Sequence, residues 1–171
     1  MSTLLLLTMA TVLVVLLFDY TNGFHDAANI IATVIASRAM TPVQAVLVVS
    51  VFEFLGPLLG GTAVANTIGS VVQLQDLPPT LSLSVMLCGL VGAIVWNLVT
   101  WWAGIPSSSS HALVGGLAGA VVVAVGMDHV VWGVGELTQG RVTGVTKVLA
   151  ALLLSPLLGF WVGFGLHRLM A

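Results

Sequence analysis

From Leu4 to Phe18 the sequence carries no charged residue, and the stretches Val43 to about Ala65, Leu81 to Trp102 and Val145 to Leu166 are each long enough to cross a bilayer. A spanning helix needs about 20 mainly apolar residues for a hydrocarbon core of about 30 Å. Inside lipid, runs of this length fold as helices, because a helix satisfies its own backbone polar groups. The charge count agrees: 6% of the 171 residues are charged, against about 25% in soluble domains. So few charged side chains cannot cover a water-exposed globule, and the expected fold is an all-α polytopic transmembrane helical bundle. The net charge of −2 and the lack of a basic stretch leave nothing to attract nucleic acid. Cys88 is the single cysteine, which excludes a disulfide or a Cys-based metal site within one chain. The first apolar run has no basic leader and no small-residue cleavage site after it, so it is expected to stay as a permanent segment.

Two polar interruptions carry the functional information. Asp19, Tyr20, Asn22, His25, Asp26 and Asn29 follow directly on the first apolar run. Ionisable groups at membrane depth cost roughly 2.5–3.5 kcal/mol each on insertion scales, so they need partners or a ligand. Gly23 is expected to permit a bend or unwinding, with a short helix resuming from Ala27 to Ser37 and ending at Arg38, and Pro42 opening the next helix. Ile105 to His111, with Ser107, Ser108, Ser109 and Ser110, interrupts a later apolar region in the same way. The two breaks, 19–38 and 104–111, are expected to face each other and hold one small anion with its coupling cation.

The remaining sequence gives about five crossings, two of them broken or re-entrant. Asn66 to Pro79 and Met127 to Gly144 read as polar connections. Gly89 and Gly92 are expected to admit a neighbouring helix, and Gly115 with Gly119 forms a small-residue face on the helix from His111 to about Val125. Trp96, Trp101 and Trp102 mark a membrane boundary. Arg38 and Arg168 fall on one side and Arg141 and Lys147 on the other, which leaves orientation open. No tandem repeat occurs, so residues 1–171 read as one structural unit.

On a helix, Asp26, Asn29, Thr33 and Ser37 fall along one face. Carboxylate and amide oxygens suit a hard cation, and a carboxylate alternatively takes a proton. Thr33 and Ser37 serve equally well as hydrogen-bonding partners for a neighbouring helix. The Ser107–Ser110 run stands just ahead of a helix start. Hydroxyls, free N–H groups and the positive dipole end there make a cradle for an oxyanion without a full positive charge, although one serine suffices as an N-cap. Glu53 lies mid-span, either as a cation ligand or proton carrier or as a protonated carboxyl bonded inside the bundle. His25 and His111 flank the breaks, as proton relays or as orienting groups. No zinc-ligand spacing, nucleotide-binding pattern or complete nucleophile–base–oxyanion set appears, so neither an enzyme nor a resident cofactor is expected.

Asn22 to Asn29, Ala32 to Ile35, Arg38-Ala39, Glu53-Phe54, Leu59 to Gly61, Trp96 to Leu98, Thr100-Trp101 and Gly104 to Gly116 together resemble the inorganic phosphate transporter (PiT) family in its bacterial form. The resemblance covers nearly the whole chain and implies a symporter of the bacterial inner membrane, taking up orthophosphate with H⁺ or Na⁺ by alternating access. It implies that Asp26 and Asn29 lie at the phosphate and cation sites and that Ser107 to Ser110 bind phosphate. His25 favours proton coupling and a metal–phosphate substrate. Members of that family are built from two inverted halves, and this chain corresponds to one. The expected partners are phosphate, the coupling cation, the lipid bilayer, and a second repeat half or a further copy. Two rival readings are a non-transporting phosphate-binding or regulatory half-protein and a permease for another oxyanion such as sulfate.

Overall fold

The computed structural model describes residues 2–170 and is all-helical. Helix α1 spans Thr3–Ala36, capped by Ser2, whose side chain accepts from the backbone of Leu5. At 1.5 Å per residue it is about 51 Å long, and it runs without interruption through Gly23 and the whole of 22–29. This corrects the expected bend and restart. A glycine inside a helix costs about 1 kcal/mol, whereas unwinding in lipid leaves backbone groups unpaired at several kcal/mol each, so the helix continues. It ends where Arg38, at φ 56°, turns the chain. The Arg38 and Ala39 amides bond back to the Ile35 and Val34 carbonyls, closing the helix in a Schellman motif.

Helix α2, Pro42–Gly60, opens as expected, with Pro42 in its first turn and a capping box between Thr41 and Gln44. It stops earlier than the apolar run suggested. Gly61, at φ 69°, turns the chain into a separate short helix, α3, Ala63–Gly69. Helix α4, Pro79–Ala103, and helix α5, Ser109–Val125, form the tightest pair. A Cβ on Gly89 would lie 2.9 Å from Leu117 Cα, and one on Gly116 would collide with the Gly89 carbonyl oxygen. Gly116 therefore makes the close approach, while Gly92, Gly115 and Gly119 have open space around them. The buried positions Val114, Leu117 and Val121 set the face that α5 turns inward, and Gly115 and Gly119 fall off it.

The connection before α4 and the one after α5 are tied by an antiparallel bridge between Val72 and Val130. Gln73 N donates to His129 O at 2.8 Å and Val131 N to Val71 O at 2.8 Å. A single turn of 3₁₀-helix, Met127–His129, and a short helix α6, Val134–Leu137, lead to α7, Gly144–Met170. The N-terminus of α7 is held by Val145 N donating to Val131 O and by Lys147 Nζ donating to Thr67 Oγ1 at 3.1 Å.

Helices α1, α2, α4 and α7 are long and apolar enough to cross a membrane, and α5 is a shorter apolar helix. The core lies where α1, α4 and α5 meet: Phe18 packs on Leu90 and Ala93, with Ala112 and Leu113 alongside. Phe18 meets Leu90 while His25 meets Thr100, so α1 and α4 run parallel, with α5 antiparallel to both. From Ala151 onward α7 is exposed along its whole described length, and α2 buries only Ala45.

Candidate functional site

Asp26 and Ser109, which lie 83 residues apart in sequence, are joined directly: Ser109 Oγ donates to Asp26 Oδ1 at 3.0 Å. The two polar interruptions therefore meet. Ser109 is fully buried, whereas the Asp26 side chain keeps 37% of its exposure. Ser108 caps α5 by accepting from the His111 amide, and this places Ser109 in the first turn, facing α1. The Trp96 indole holds the loop ahead of it by donating to Ser107 Oγ at 2.9 Å.

Behind Asp26 the chain of contacts goes deeper. His25, 3% exposed, places Nδ1 3.2 Å from Asp26 Oδ1 and Nε2 3.2 Å from Thr100 Oγ1. Thr100 Oγ1 also lies 2.9 Å from Trp96 O and 3.2 Å from Asn97 O. One hydroxyl rotor thus accommodates two proton arrangements. With a proton on Nδ1 alone, His25 donates to the carboxylate and Thr100 donates to Nε2. With both nitrogens protonated, His25 donates to both partners and Thr100 turns its proton to the Trp96 carbonyl. The line Ser109–Asp26–His25–Thr100 can take up or release a proton without losing a bond.

The four serines diverge. Ser107 and Ser108 line a cavity of about 480 Å³ with Trp96 and His111, on the α4–α5 side. Ser110 lines a larger, mostly apolar cavity of about 740 Å³ that also receives Asp19 and Asn22 and is walled by the ends of α2 and α3. Ser109 stands between them. Asn29 and Thr33 are exposed on α1, and Glu53 is exposed on α2, where it lines a separate hollow with Ile30 and Phe52. Asn29 lies one helical turn from Asp26 on α1, and among the described residues no hydrogen bond joins Asn29, Thr33 or Glu53 to the Asp26–Ser109 pair. His111 lines both the Ser107 cavity and a third cavity, which holds Lys147 and Thr67. No group of three His, Cys, Asp or Glu able to hold a metal ion occurs among the described residues.

Thr100 and Thr21, both buried on the α1–α4 face, were not singled out from the sequence as site residues. The sequence trace of this is Asn97 and Thr100 at helical spacing, which marks a polar face on an otherwise apolar span but not the histidine opposite it.

Fold and site together define an integral membrane protein in which two polar motifs meet between three helices. The family model described as "Phosphate transporter family" matches residues 22–171, and the chain belongs to that family, whose members are transporters and not enzymes. It is 48% identical over 165 residues to a probable low-affinity inorganic phosphate transporter of Streptomyces halstedii, covering 95% of this chain and 70% of that one. A protein of the same description from Bacillus subtilis (strain 168) is 41% identical, with 99% of this chain and 47% of the relative covered. A low-affinity inorganic phosphate transporter of Escherichia coli (strain K12) is 38% identical, with 98% and 33% covered. The chain thus spans between a third and a half of the latter two. No solved structure matches it.

Proposed function

We propose that the chain serves a cation-coupled inorganic phosphate symporter working by alternating access, with the coupling ion a proton taken up at the His25–Asp26 pair. The observation that carries this reading is the bond between Asp26 and Ser109, which joins a carboxylate to an oxyanion cradle. Two unit negative charges 4 Å apart repel by roughly 4 kcal/mol at an effective dielectric near 20. Phosphate beside an uncompensated Asp26 is therefore disfavoured, and a proton on the His25–Asp26 pair removes most of that penalty. Because the proton lowers the anion's penalty, binding of anion and cation are linked in both directions. Ser110 and the free amides at the start of α5 supply donors to the anion beside the Asp26–Ser109 pair, with Ser107 and Ser108 holding the loop. The metal–phosphate substrate suggested by the resemblance is compatible with this arrangement and not required by it.

Asn29, Thr33 and Glu53 enter the same proposal through their exposure. They lie on faces of α1 and α2 that a second repeat half, or a further copy, would cover, and there they complete the site. The greater length of most relatives supports the former.

The test is uptake of labelled phosphate into proteoliposomes, with proton and sodium gradients imposed separately, using the chain alone and together with its second half. A proton gradient alone is expected to drive uptake, and Asp26→Asn to abolish it while leaving insertion intact. Uptake driven only by sodium would overturn the proton assignment, and normal uptake by Asp26→Asn would overturn the role of Asp26. Competition by sulfate in the same assay separates a phosphate carrier from a general oxyanion permease.

A further inference from the structure

Asn97 sits at the α1–α4–α5 junction fully buried, and neither its Oδ1 nor its Nδ2 has a hydrogen-bond partner among the described residues. It lies on the buried face of α4 between Ala93 and Thr100. Across that face Phe18 meets Ala93 and His25 meets Thr100, so Thr21 falls level with Asn97 on α1. The antiparallel α5 sets Ala112 beside the Phe18 cluster and Ser109 beside Asp26, so its first turn runs past the level of Asn97. Leaving a buried polar group unpaired is costly, and this amide has two of them in a core where leucine would fill similar space.

We propose that Asn97 holds internal water that extends the Ser109–Asp26–His25–Thr100 line. The pattern of unmet bonds selects the ligand. A cation would satisfy Oδ1 and face the Nδ2 protons unfavourably, and an anion would do the reverse. Of a metal cation, a fully ionised anion and water, only water both donates and accepts. The neighbouring hydroxyls fit this, because Ser109 donates its proton to Asp26 and Thr21 donates its own to Phe18 O at 2.9 Å. Both retain only acceptor capacity, which a water proton fills. Water donating to Ser109 Oγ fixes that hydroxyl's proton towards Asp26. Asn97 is thus a positioning residue that acts on the carboxylate through Ser109. The significance of that action rests on the proposed role of Asp26, whereas the presence of the water does not.

The experiment is water-edited solid-state NMR on the chain reconstituted in bilayers, with the asparagine amide nitrogens and aspartate carboxyls labelled. Asn97 Nδ2 is expected to receive magnetisation directly from water. In Asn97→Leu the Asp26 carboxyl resonance is expected to shift while the melting temperature holds or rises, and Asn97→Thr is expected to restore part of the signal position. Absence of transfer to Asn97 in the wild-type chain would overturn the water site, even if neither variant folds. An unmoved Asp26 resonance in folded Asn97→Leu would overturn the positioning role. Neither readout involves phosphate, so failure of the transport proposal remains a separate result.

Discussion

Thr100 has one proton and stands within reach of three acceptors, and that competition makes it informative. Thr100→Val keeps the shape and removes the hydroxyl, leaving His25 Nε2 buried without its partner. The expected result is a loss of proton-driven uptake of roughly ten-fold or more, since one lost hydrogen bond to a buried polar group costs about 1–3 kcal/mol. Ser109→Ala removes the donor to Asp26 and is expected to weaken the apparent phosphate affinity by a similar factor, read from the concentration dependence of uptake. Asp26 and the serine run were legible in the sequence because polar groups are costly in an apolar run and stand out there. Thr100 and Thr21 were not. A threonine on a helix routinely bonds a carbonyl of its own preceding turn, so nothing local distinguishes one that also faces a histidine from another helix.

At the scale of elements, the hydrophobic runs located the spanning helices well and their interruptions less well. Gly23 and the polar residues around it suggested a break in α1, but unpaired backbone in lipid costs more than a helical glycine and the helix continues through them. At the end of α2 the order reverses: Gly60 and Gly61 end a helix that hydrophobicity alone would have extended to Ala65. The α4–α5 pairing shows why spacing of small residues underdetermines contact. Glycines at 115 and 119 have the motif spacing, yet Gly116 touches α4, because the inward face of α5 is set by Val114, Leu117 and Val121. This separates two substitutions one residue apart. Gly116→Ala forces a methyl against the Gly89 carbonyl and is expected to destabilise the hairpin by about 1–3 kcal/mol. Gly115→Ala meets open space and is expected to be neutral or stabilising by a few tenths of a kcal/mol. Thermal unfolding of both variants in one detergent measures the difference.

Across the whole molecule, packing is uneven. Helices α1, α4 and α5 share the core, whereas α2 and most of α7 present apolar surface outward. The sequence disclosed that every helix is apolar but not which faces pair, since a helix that is apolar all round carries no stripe to read. Asn29, Thr33 and Glu53 lie on the outward-facing part, so Asn29 keeps its place one turn from Asp26 on α1 while its side chain stays exposed within this chain.

The bridge between Val72 and Val130 has a mechanical consequence. Chain continuity closes the α4–α5 hairpin at the Gly104–Ser108 end, and the bridge closes it at the other, so the hairpin is a stiff lever held at both ends. Under the proposed alternating access the hairpin is expected to move as one body, and the Lys147–Thr67 bond is a single tie on a seam outside it. In a Cys88→Ala background, a disulfide between Val72→Cys and Val130→Cys is expected to leave uptake intact, because it reinforces a pairing already made by the bridge. A short bis-thiol reagent joining Thr67→Cys to Lys147→Cys is expected to arrest uptake reversibly, with activity returning when the link is cleaved. If the seam can be clamped without effect, the lever turns somewhere else.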